Sequence, residues 1–362
     1  MCWHVNKYGS IHSFIIFILL TVPPFIGYHI FYSKHHSTAT FKTSFTDVLS
    51  LNDSKQCSYN KILRFISSEG IPQKCMHHST EYFPSRIEID WFDATITVEH
   101  DKYCQFASRW KNMFADLLNS IATRNYSSPH FSVFIHSYKC KNNITKKIRT
   151  VIEPLVGILR HPYALCDEQY LTSREYLAID TRNIALQTGK HMYFDLGAST
   201  WQTGGGGSSQ DFMFTNYLAH NVTFSRFLLW EATPMQPETI FASLPRKMHP
   251  VYQFFNIPAS ADSLDPANPL NILKQIAHVD DYVVIKIDID NFSLENQFLR
   301  QILNDSDLQA KIDDLYFEHH FNFKPMVECC WGKSADSSAS LHDAYRLIYK
   351  LRSLGIHAHG WP

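Results

Sequence analysis

The segment from Tyr282 to Asp290 constrains the fold of this chain more than any other. It reads Tyr-Val-Val-Ile-Lys-Ile-Asp-Ile-Asp, so it is rich in β-branched residues, almost continuously apolar and closed by acids. A strand that helices cover on both faces of a parallel sheet has this composition. The segment therefore predicts the central strand of a parallel α/β sheet.

The order of strand, polar tip and helix recurs along the carboxyl-terminal half. Further strands are predicted at 192–197, 227–231, 251–257 and 315–320. Apolar residues at helical spacing predict helices over 210–220 and 294–303. Repeated strand and helix units favour a Rossmann-like, doubly wound, mostly parallel sheet, whose ligand crevice lies at the carboxyl ends of the strands.

The first of these strands runs into a glycine-rich turn. Asp195-Leu196-Gly197-Ala198 is followed by Gly204 to Gly207, and glycine allows both a sharp turn and the close approach of a ligand to the main chain. Glu231 ends the next strand, where a carboxylate can accept both ribose hydroxyls of a nucleoside. Four consecutive glycines are also typical of a surface loop, but the order of the strands favours a nucleotide-type cofactor site.

Three motifs together resemble the FkbM-type family of S-adenosylmethionine-dependent methyltransferases. They are Asp195-Leu196-Gly197-Ala198, then Trp230-Glu231 with a proline shortly after, then Lys286-Ile287-Asp288 with Glu295 following. The resemblance covers 176–353 and implies a sheet of the class I methyltransferase type, with S-adenosylmethionine as cofactor. The chain departs from the family pattern at Thr200, where a glycine is usual, in the longer loop at 201–209, and at Asp290-Asn291 in place of Glu-Gly.

The resemblance also implies roles for individual residues. The cofactor-binding residues are Asp195, Gly197, Ala198, Gly204 and Glu231. Methyl transfer needs alignment of the acceptor and removal of its proton, and the candidates for that base are Asp288, His319 and His320. This hypothesis assigns no metal ligand.

Two alternatives remain open from the sequence. Asp288-Ile289-Asp290 at the end of an apolar strand is also typical of a metal-dependent glycosyltransferase, in which two acids hold a divalent cation against a sugar nucleotide. That hypothesis leaves Asp195 and Glu231 without a role. The other alternative is a catalytically inactive binding domain of the same fold.

The amino terminus indicates a membrane location. Residues 14–31 contain no Asp, Glu, Lys or Arg, which predicts a transmembrane anchor over 14–32 after a short cytoplasmic tail, 1–13, and before a Ser/Thr-rich stem, 33–56. Pro23-Pro24 keeps a cleaved signal peptide as an alternative. We expect a single-pass type II protein of the Golgi or endoplasmic reticulum with a lumenal enzyme. Five glycosylation sequons support a lumenal position, at Asn52, Asn125, Asn143, Asn221 and Asn304.

Residues 57–171 are predicted to form an amino-terminal extension that packs on the α/β domain, 172–362. A helix is expected over 106–121, a strand over 131–138 and a helix over 144–159, whose polar face carries the basic cluster from Lys139 to Arg149. Disulfides are expected among the five cysteines of this half, Cys57, Cys75, Cys104, Cys140 and Cys166. Cys329 and Cys330 are expected to be separate, one of them bridging elsewhere.

Composition bounds the partners. The formal net charge is -1 and 45% of residues are hydrophobic, so the chain can bury a large core and has no general basic field for nucleic acid. We expect a small-molecule or glycan acceptor.

Overall fold

A parallel six-stranded sheet organises the chain in the computed structural model, which describes residues 62–66, 72–98, 102–184, 189–202 and 208–362. The predicted tail, anchor and stem, together with Asn52, Cys57 and Gly204, lie outside the described residues. Within the described ranges, no helix has the length and apolar character needed to cross a membrane.

The strands of the described residues are β1 Ile62–Ile66, β2 Pro72–Phe83, β3 Ser132–Cys140, β4 Thr145–Ile152, β5 His191–Leu196, β6 Arg226–Trp230, β7 Tyr252–Phe255, β8 Tyr282–Ile287, β9 Asp314–Phe317 and β10 His357–Gly360. The α-helices are α1 Arg86–Thr95, α2 Tyr103–Ala107, α3 Lys111–Ala122, α4 Ser209–Leu218, α5 Pro237–Ala242, α6 Pro269–Ile276, α7 Phe292–Asn304, α8 Ser306–Lys311, α9 Lys324–Met326 and α10 Leu341–Ser353.

The large sheet has the strand order β10-β9-β8-β5-β6-β7, and all its neighbouring strands are parallel. The chain runs outward from β5 through β6 to β7 and then returns to β8, beside β5. In open α/β sheets a ligand crevice forms where the strand order reverses in this way. The prediction of a mostly parallel α/β sheet is confirmed. β8 is buried along its whole length and is a central strand of this sheet, as predicted.

Alternating residues of the strands feed two cores, one on each face of the sheet. Phe194 and Ile285 belong to the larger core, and Tyr193 and Val284 belong to the smaller one. Because both faces of the sheet are covered, the side chains of the strands are buried. Burial of each large apolar side chain stabilises the fold by about 1.5–3 kcal/mol.

A second sheet is antiparallel and has the order β1-β2-β3-β4. The predicted strand at 131–138 is confirmed as β3, but the predicted helix over 144–159 is wrong, since β4 runs from Thr145–Ile152. The spacing of the apolar side chains could not decide between a helix and a strand, because it is compatible with both. The β-branched residues and the alternating exposure of this segment agree with pairing to β3. The basic cluster of 139–149 therefore lies along a strand pair.

The antiparallel sheet and helices α1 to α3 share the larger core with the parallel sheet. Trp91 on α1 donates a hydrogen bond from its Nε1 to the Tyr345 hydroxyl on α10, at 2.8 Å. The two regions are thus joined by buried contacts.

Two disulfides join cysteines of the amino-terminal half, as predicted: Cys75 with Cys140, and Cys104 with Cys166. The expectation for Cys329 and Cys330 is wrong, because these adjacent cysteines are bonded to each other in a π-helical turn, Val327–Trp331. Every other cysteine of the described residues is already paired, so neither has another partner there. The sequon asparagines in the described ranges are all exposed: Asn125, Asn143, Asn221 and Asn304.

Candidate active site

Gly197 lies at the point where the strand order reverses. Its φ is +84°, and a Cβ placed there would lie 1.8 Å from the Asp288 carbonyl oxygen. Only glycine permits this approach between the ends of β5 and β8. The amides of Gly197 and Ala198 both donate to the Trp230 carbonyl, each at 3.0 Å. The carboxyl ends of β5, β6 and β8 are therefore fixed against one another.

Glu231 follows β6 at this edge, where the sequence predicts it. Its carboxylate accepts the backbone N–H of Ser199 at 3.0 Å and of Thr233 at 2.7 Å. The side chain is half-buried, and a carboxylate can accept further hydrogen bonds beyond these two. Glu231 is thus oriented by the loop that follows β5 and keeps acceptor capacity for a ligand.

Asp195 lies beneath the site rather than in it. Its side chain has no exposed surface and accepts hydrogen bonds from Tyr193 Oη at 2.8 Å, Ser209 Oγ at 2.9 Å and Lys286 Nζ at 3.0 Å. The sequence predicts direct cofactor binding by Asp195, but a fully enclosed carboxylate supports the strand end from below. Ala198 is equally enclosed, and its carbonyl accepts a hydrogen bond from Gln210.

Lys286 lies between two acids. Its Nζ is 3.0 Å from Asp195 Oδ1 and 3.2 Å from Asp288 Oδ2, and it donates to the Gly197 carbonyl at 3.1 Å. Burial alone would lower the pKa of Lys286, but Asp195 and Asp288 raise it above its ordinary value. The ammonium stays charged and links the buried acid to the one that faces the site.

Asp288 is the carboxylate at the end of β8 that retains some exposure. Burial raises the pKa of Asp288, Lys286 lowers it, the carboxylates of Glu318 and Asp290 raise it again, and the result is a pKa of about 7. A base whose pKa lies near the operating pH is suited to proton transfer. Of the predicted catalytic residues, Asp288 has the clearest environment for such a role.

Glu318 follows β9 and faces Asp288. Its Oε1 accepts hydrogen bonds from the Arg160 guanidinium and from Trp331 Nε1, the latter at 2.9 Å. Burial would raise the pKa of Glu318, but Arg160 and His320 hold it well below its ordinary value. Glu318 is therefore the charged member of the Asp288–Glu318 pair.

His320 is fully buried and held by Glu295. Its Nδ1 donates to Glu295 Oε2 at 3.0 Å, while Glu295 Oε1 accepts the backbone N–H of Ile289 at 2.9 Å. His320 Nε2 faces Glu318 Oε2 at 3.4 Å and Asp290 Oδ1 at 3.6 Å, and it has no aligned hydrogen-bond partner in the described part of the chain. Burial opposes a charge on the ring, but the three carboxylates outweigh it and raise the pKa of His320 to about 12.

His319 is directed away from this group. Its ring packs against Phe292, Phe317 and Phe321, and burial lowers its pKa to about 4. An uncharged imidazole enclosed by phenylalanines is not placed with Asp288 and His320, so the structure brings together only two of the three predicted catalytic side chains.

Asp290 belongs to the site and does not cap α7. The residue that caps α7 is Asn291, whose side chain accepts the Leu294 amide. Asp290 has a φ of +54° and an exposed side chain that reaches toward His320. Aspartate adopts this left-handed conformation more readily than most residues other than glycine.

The sequence assigns no catalytic or binding role to three residues of the site, which are Glu295, Glu318 and Arg160, although Glu295 belongs to the third motif and Glu318 to the predicted strand at 315–320. Glu318 directly follows β9, so the rule that parallel strands end at one edge could have assigned it to the site, whereas Glu295 lies in the first turn of α7. Arg160 is 158 residues from its partner Glu318, and no motif in the neighbouring sequence assigns it to the site.

Comparison of the whole chain with protein-family models, with curated proteins and with solved structures finds no match in any of the three.

Proposed function

We propose that this chain is an S-adenosylmethionine-dependent methyltransferase that methylates an oxygen of a small-molecule or glycan acceptor. The observation that carries the proposal is Glu231, an oriented and partly exposed carboxylate at the end of β6, beside the Gly197 turn where the strand order reverses. A ribose with two adjacent hydroxyls fits an acceptor of this kind at this edge.

The polar groups near Gly197 fit the rest of such a cofactor. Backbone groups of the loop after β5 border the Glu231 carboxylate, since Ser199 donates to it directly. The turn is tight because Gly197 meets the Asp288 carbonyl, so Asp288 is within reach of whatever the loop holds. The cofactor side and the acceptor side of the site are therefore contiguous.

Residues of the chain bind the acceptor hydroxyl and remove its proton. The bound cofactor supplies a methyl group on a sulfonium, which is already activated. Asp288, with its pKa of about 7, takes the proton of the acceptor hydroxyl. Lys286 fixes the Asp288 carboxylate at 3.2 Å, and Arg160 keeps the neighbouring Glu318 charged so that the proton goes to Asp288.

The setting of the reaction is part of the proposal. A type II orientation with the enzyme in the lumen of the Golgi or endoplasmic reticulum agrees with the exposed sequon asparagines and with the Cys75–Cys140 and Cys104–Cys166 disulfides. A carbohydrate or other secretory-pathway hydroxyl is the acceptor class that this setting favours.

Calorimetric titration of the full chain with S-adenosylmethionine and S-adenosylhomocysteine tests the proposal. Both ligands should bind, and Glu231→Ala should weaken each at least tenfold, about 1.4 kcal/mol. Glu238→Ala is the matched control, because Glu238 is an exposed acid on α5 and its loss should leave the affinity unchanged.

Two results would reject the methyltransferase. One is a folded chain that binds neither ligand but binds a sugar nucleotide with manganese, which would favour the glycosyltransferase hypothesis based on Asp288 and Asp290. The other is preference for a nicotinamide dinucleotide, which the same strand order can bind. Cofactor binding without methyl transfer to any acceptor would support an inactive binding domain instead.

A further inference from the structure

Three side chains at the ends of β8 and β9 converge on one point. Asp290, Glu318 and His320 each direct one potential ligand atom there, and these atoms lie within 4.8 Å of one another. The separations from His320 Nε2 are 3.4 Å to Glu318 Oε2 and 3.6 Å to Asp290 Oδ1. Ligand atoms that surround a zinc ion tetrahedrally at about 2.1 Å lie about 3.4 Å apart. The two separations from His320 Nε2 therefore match the spacing of ligand atoms around a metal ion.

The free nitrogen of His320 is the second observation. The imidazole is fully buried, yet its Nε2 has no hydrogen-bond partner in the described part of the chain. Because Glu295 accepts the N–H of Nδ1, Nε2 is the ring nitrogen that faces the carboxylates of Asp290 and Glu318. No aligned hydrogen bond occupies Nε2, and a metal ion bound to the three atoms would take the place of a proton there.

The surroundings hold the ligands in place. Arg160 and Trp331 occupy Glu318 Oε1, which leaves Oε2 facing His320. Glu295 supplies the carboxylate that commonly orients a metal-binding histidine from behind. Three protein ligands and an exposed Asp290 leave one side of the point open to solvent, as in catalytic metal sites.

We propose that Asp290, Glu318 and His320 bind a divalent transition-metal ion, with Glu295 as the residue that positions His320. One imidazole nitrogen and two carboxylate oxygens suit manganese or zinc better than magnesium or calcium, which prefer oxygen ligands alone. The open positions would accept oxygen atoms of a ligand.

The role of the metal rests on the proposed function, whereas the site itself does not. Glu318 contacts both the metal point and Asp288, so an acceptor bound to the metal through adjacent hydroxyls would place one hydroxyl beside the base. A divalent cation lowers the pKa of a hydroxyl that is bound to it. The acceptor class that follows is a vicinal diol, such as that of a sugar.

Electron paramagnetic resonance of manganese(II) chloride, titrated into the full chain after removal of metals with a chelator, measures the site directly. Wild-type protein should bind one manganese ion, and zinc chloride should displace it. His320→Gln and Asp290→Asn should each weaken manganese binding at least tenfold, and Glu295→Gln should weaken it about 10–100-fold. Glu238→Gln, an exposed acid on α5, should bind as wild type does.

Asp290→Asn separates a loss of metal binding from a loss of folding. Asp290 is exposed, so its exchange should leave the thermal unfolding midpoint unchanged. Failure of the folded wild-type chain to bind manganese or zinc would overturn the site, and so would equal binding by wild type and Asp290→Asn. The calorimetric titration with S-adenosylmethionine is separate. Manganese binding without S-adenosylmethionine binding would keep the metal site and reject the methyltransferase, whereas the reverse would reject only the metal site.

Discussion

At the scale of single residues, Gly197 shows that a residue can be constrained by a contact that the sequence does not reveal. The sequence predicts a glycine that lets a ligand approach the main chain, but the structure adds a closer constraint, the 1.8 Å between its absent Cβ and the Asp288 carbonyl oxygen. No sequence rule reports such a contact, because Asp288 is far along the chain. The same limit explains His319 and His320, which are adjacent in sequence and differ completely in environment.

Replacing Gly197 by alanine should force β5 and β8 apart. We expect a loss of stability about 1–3 kcal/mol larger than that of Gly332→Ala. Gly332 also has a positive φ, +51°, but a Cβ there meets nothing within 4 Å, so this control carries only the backbone strain. Urea unfolding of both variants measures the difference, and equal losses would contradict the close approach.

His161 should make the protein sensitive to acid. Burial lowers its pKa to about 4, against an ordinary value of 6.5, so the unfolded chain binds more protons between these values. The free energy of unfolding should therefore fall as the pH drops from about 6.5 to about 4. In His161→Asn, which keeps an acceptor for the Tyr163 amide, this fall should be smaller by up to about 2 kcal/mol. Urea unfolding at pH 7.5 and 4.5 gives both slopes, and an unchanged slope would refute the assignment.

At the scale of elements, strands and helices with a clear pattern of apolar residues can be predicted from the sequence, whereas polar strands cannot. β8 and α7 have unambiguous sequences, and both form as predicted. β10, with the sequence His-Ala-His-Gly, has no strand signal, because its histidines are buried by partners distant in sequence. His357 bonds to Asp314 and His359 to Glu153, each at about 3 Å. The segment of β4 was wrongly predicted to be a helix, because its pairing with β3, and not the spacing of its own apolar residues, decides its structure.

α10 begins with a capping box that should be measurable. The Ser340 hydroxyl accepts the Asp343 amide, and the Asp343 carboxylate accepts the Ser340 amide. Ser340→Ala should lower the free energy of unfolding by about 1 kcal/mol, because amides of the first turn lose their acceptor. Ser293→Ala, at an exposed position of α7, should change it by less than about 0.5 kcal/mol. Chemical denaturation compares them, and equal effects would contradict the capping role.

At the scale of the whole molecule, buried polar groups join the antiparallel sheet to the parallel one. Arg352 is fully enclosed and donates to Tyr82 Oη and the Glu153 carbonyl, each at 2.9 Å, and to the Ala358 carbonyl at 2.9 Å. These partners lie on β2, after β4 and on β10. The mostly parallel α/β sheet and the succession of strands β5 to β9 along the chain could be predicted from the sequence. The attachment of the amino-terminal region could not, since it depends on contacts such as Arg352 to Tyr82, 270 residues apart.

Arg352→Met should therefore destabilise the whole described unit. Removing the guanidinium leaves Glu88 and Glu153 buried without their cation, which should cost about 3–5 kcal/mol. Arg86→Met, which removes an exposed ion pair with Asp90, should leave the unfolding midpoint nearly unchanged. Thermal unfolding followed by circular dichroism and by tryptophan fluorescence should show one shared transition. Separate transitions for the two signals would contradict a common core.

The central claim is that S-adenosylmethionine binds where the strand order reverses. Ultraviolet cross-linking of the full chain with methyl-labelled S-adenosylmethionine, followed by tryptic digestion, locates the cofactor directly. The label should appear in the peptides 191–226 and 227–246, which carry the Gly197 turn and Glu231, and excess S-adenosylhomocysteine should abolish it. Label confined to other peptides, or label that the competitor does not displace, would contradict the proposed site.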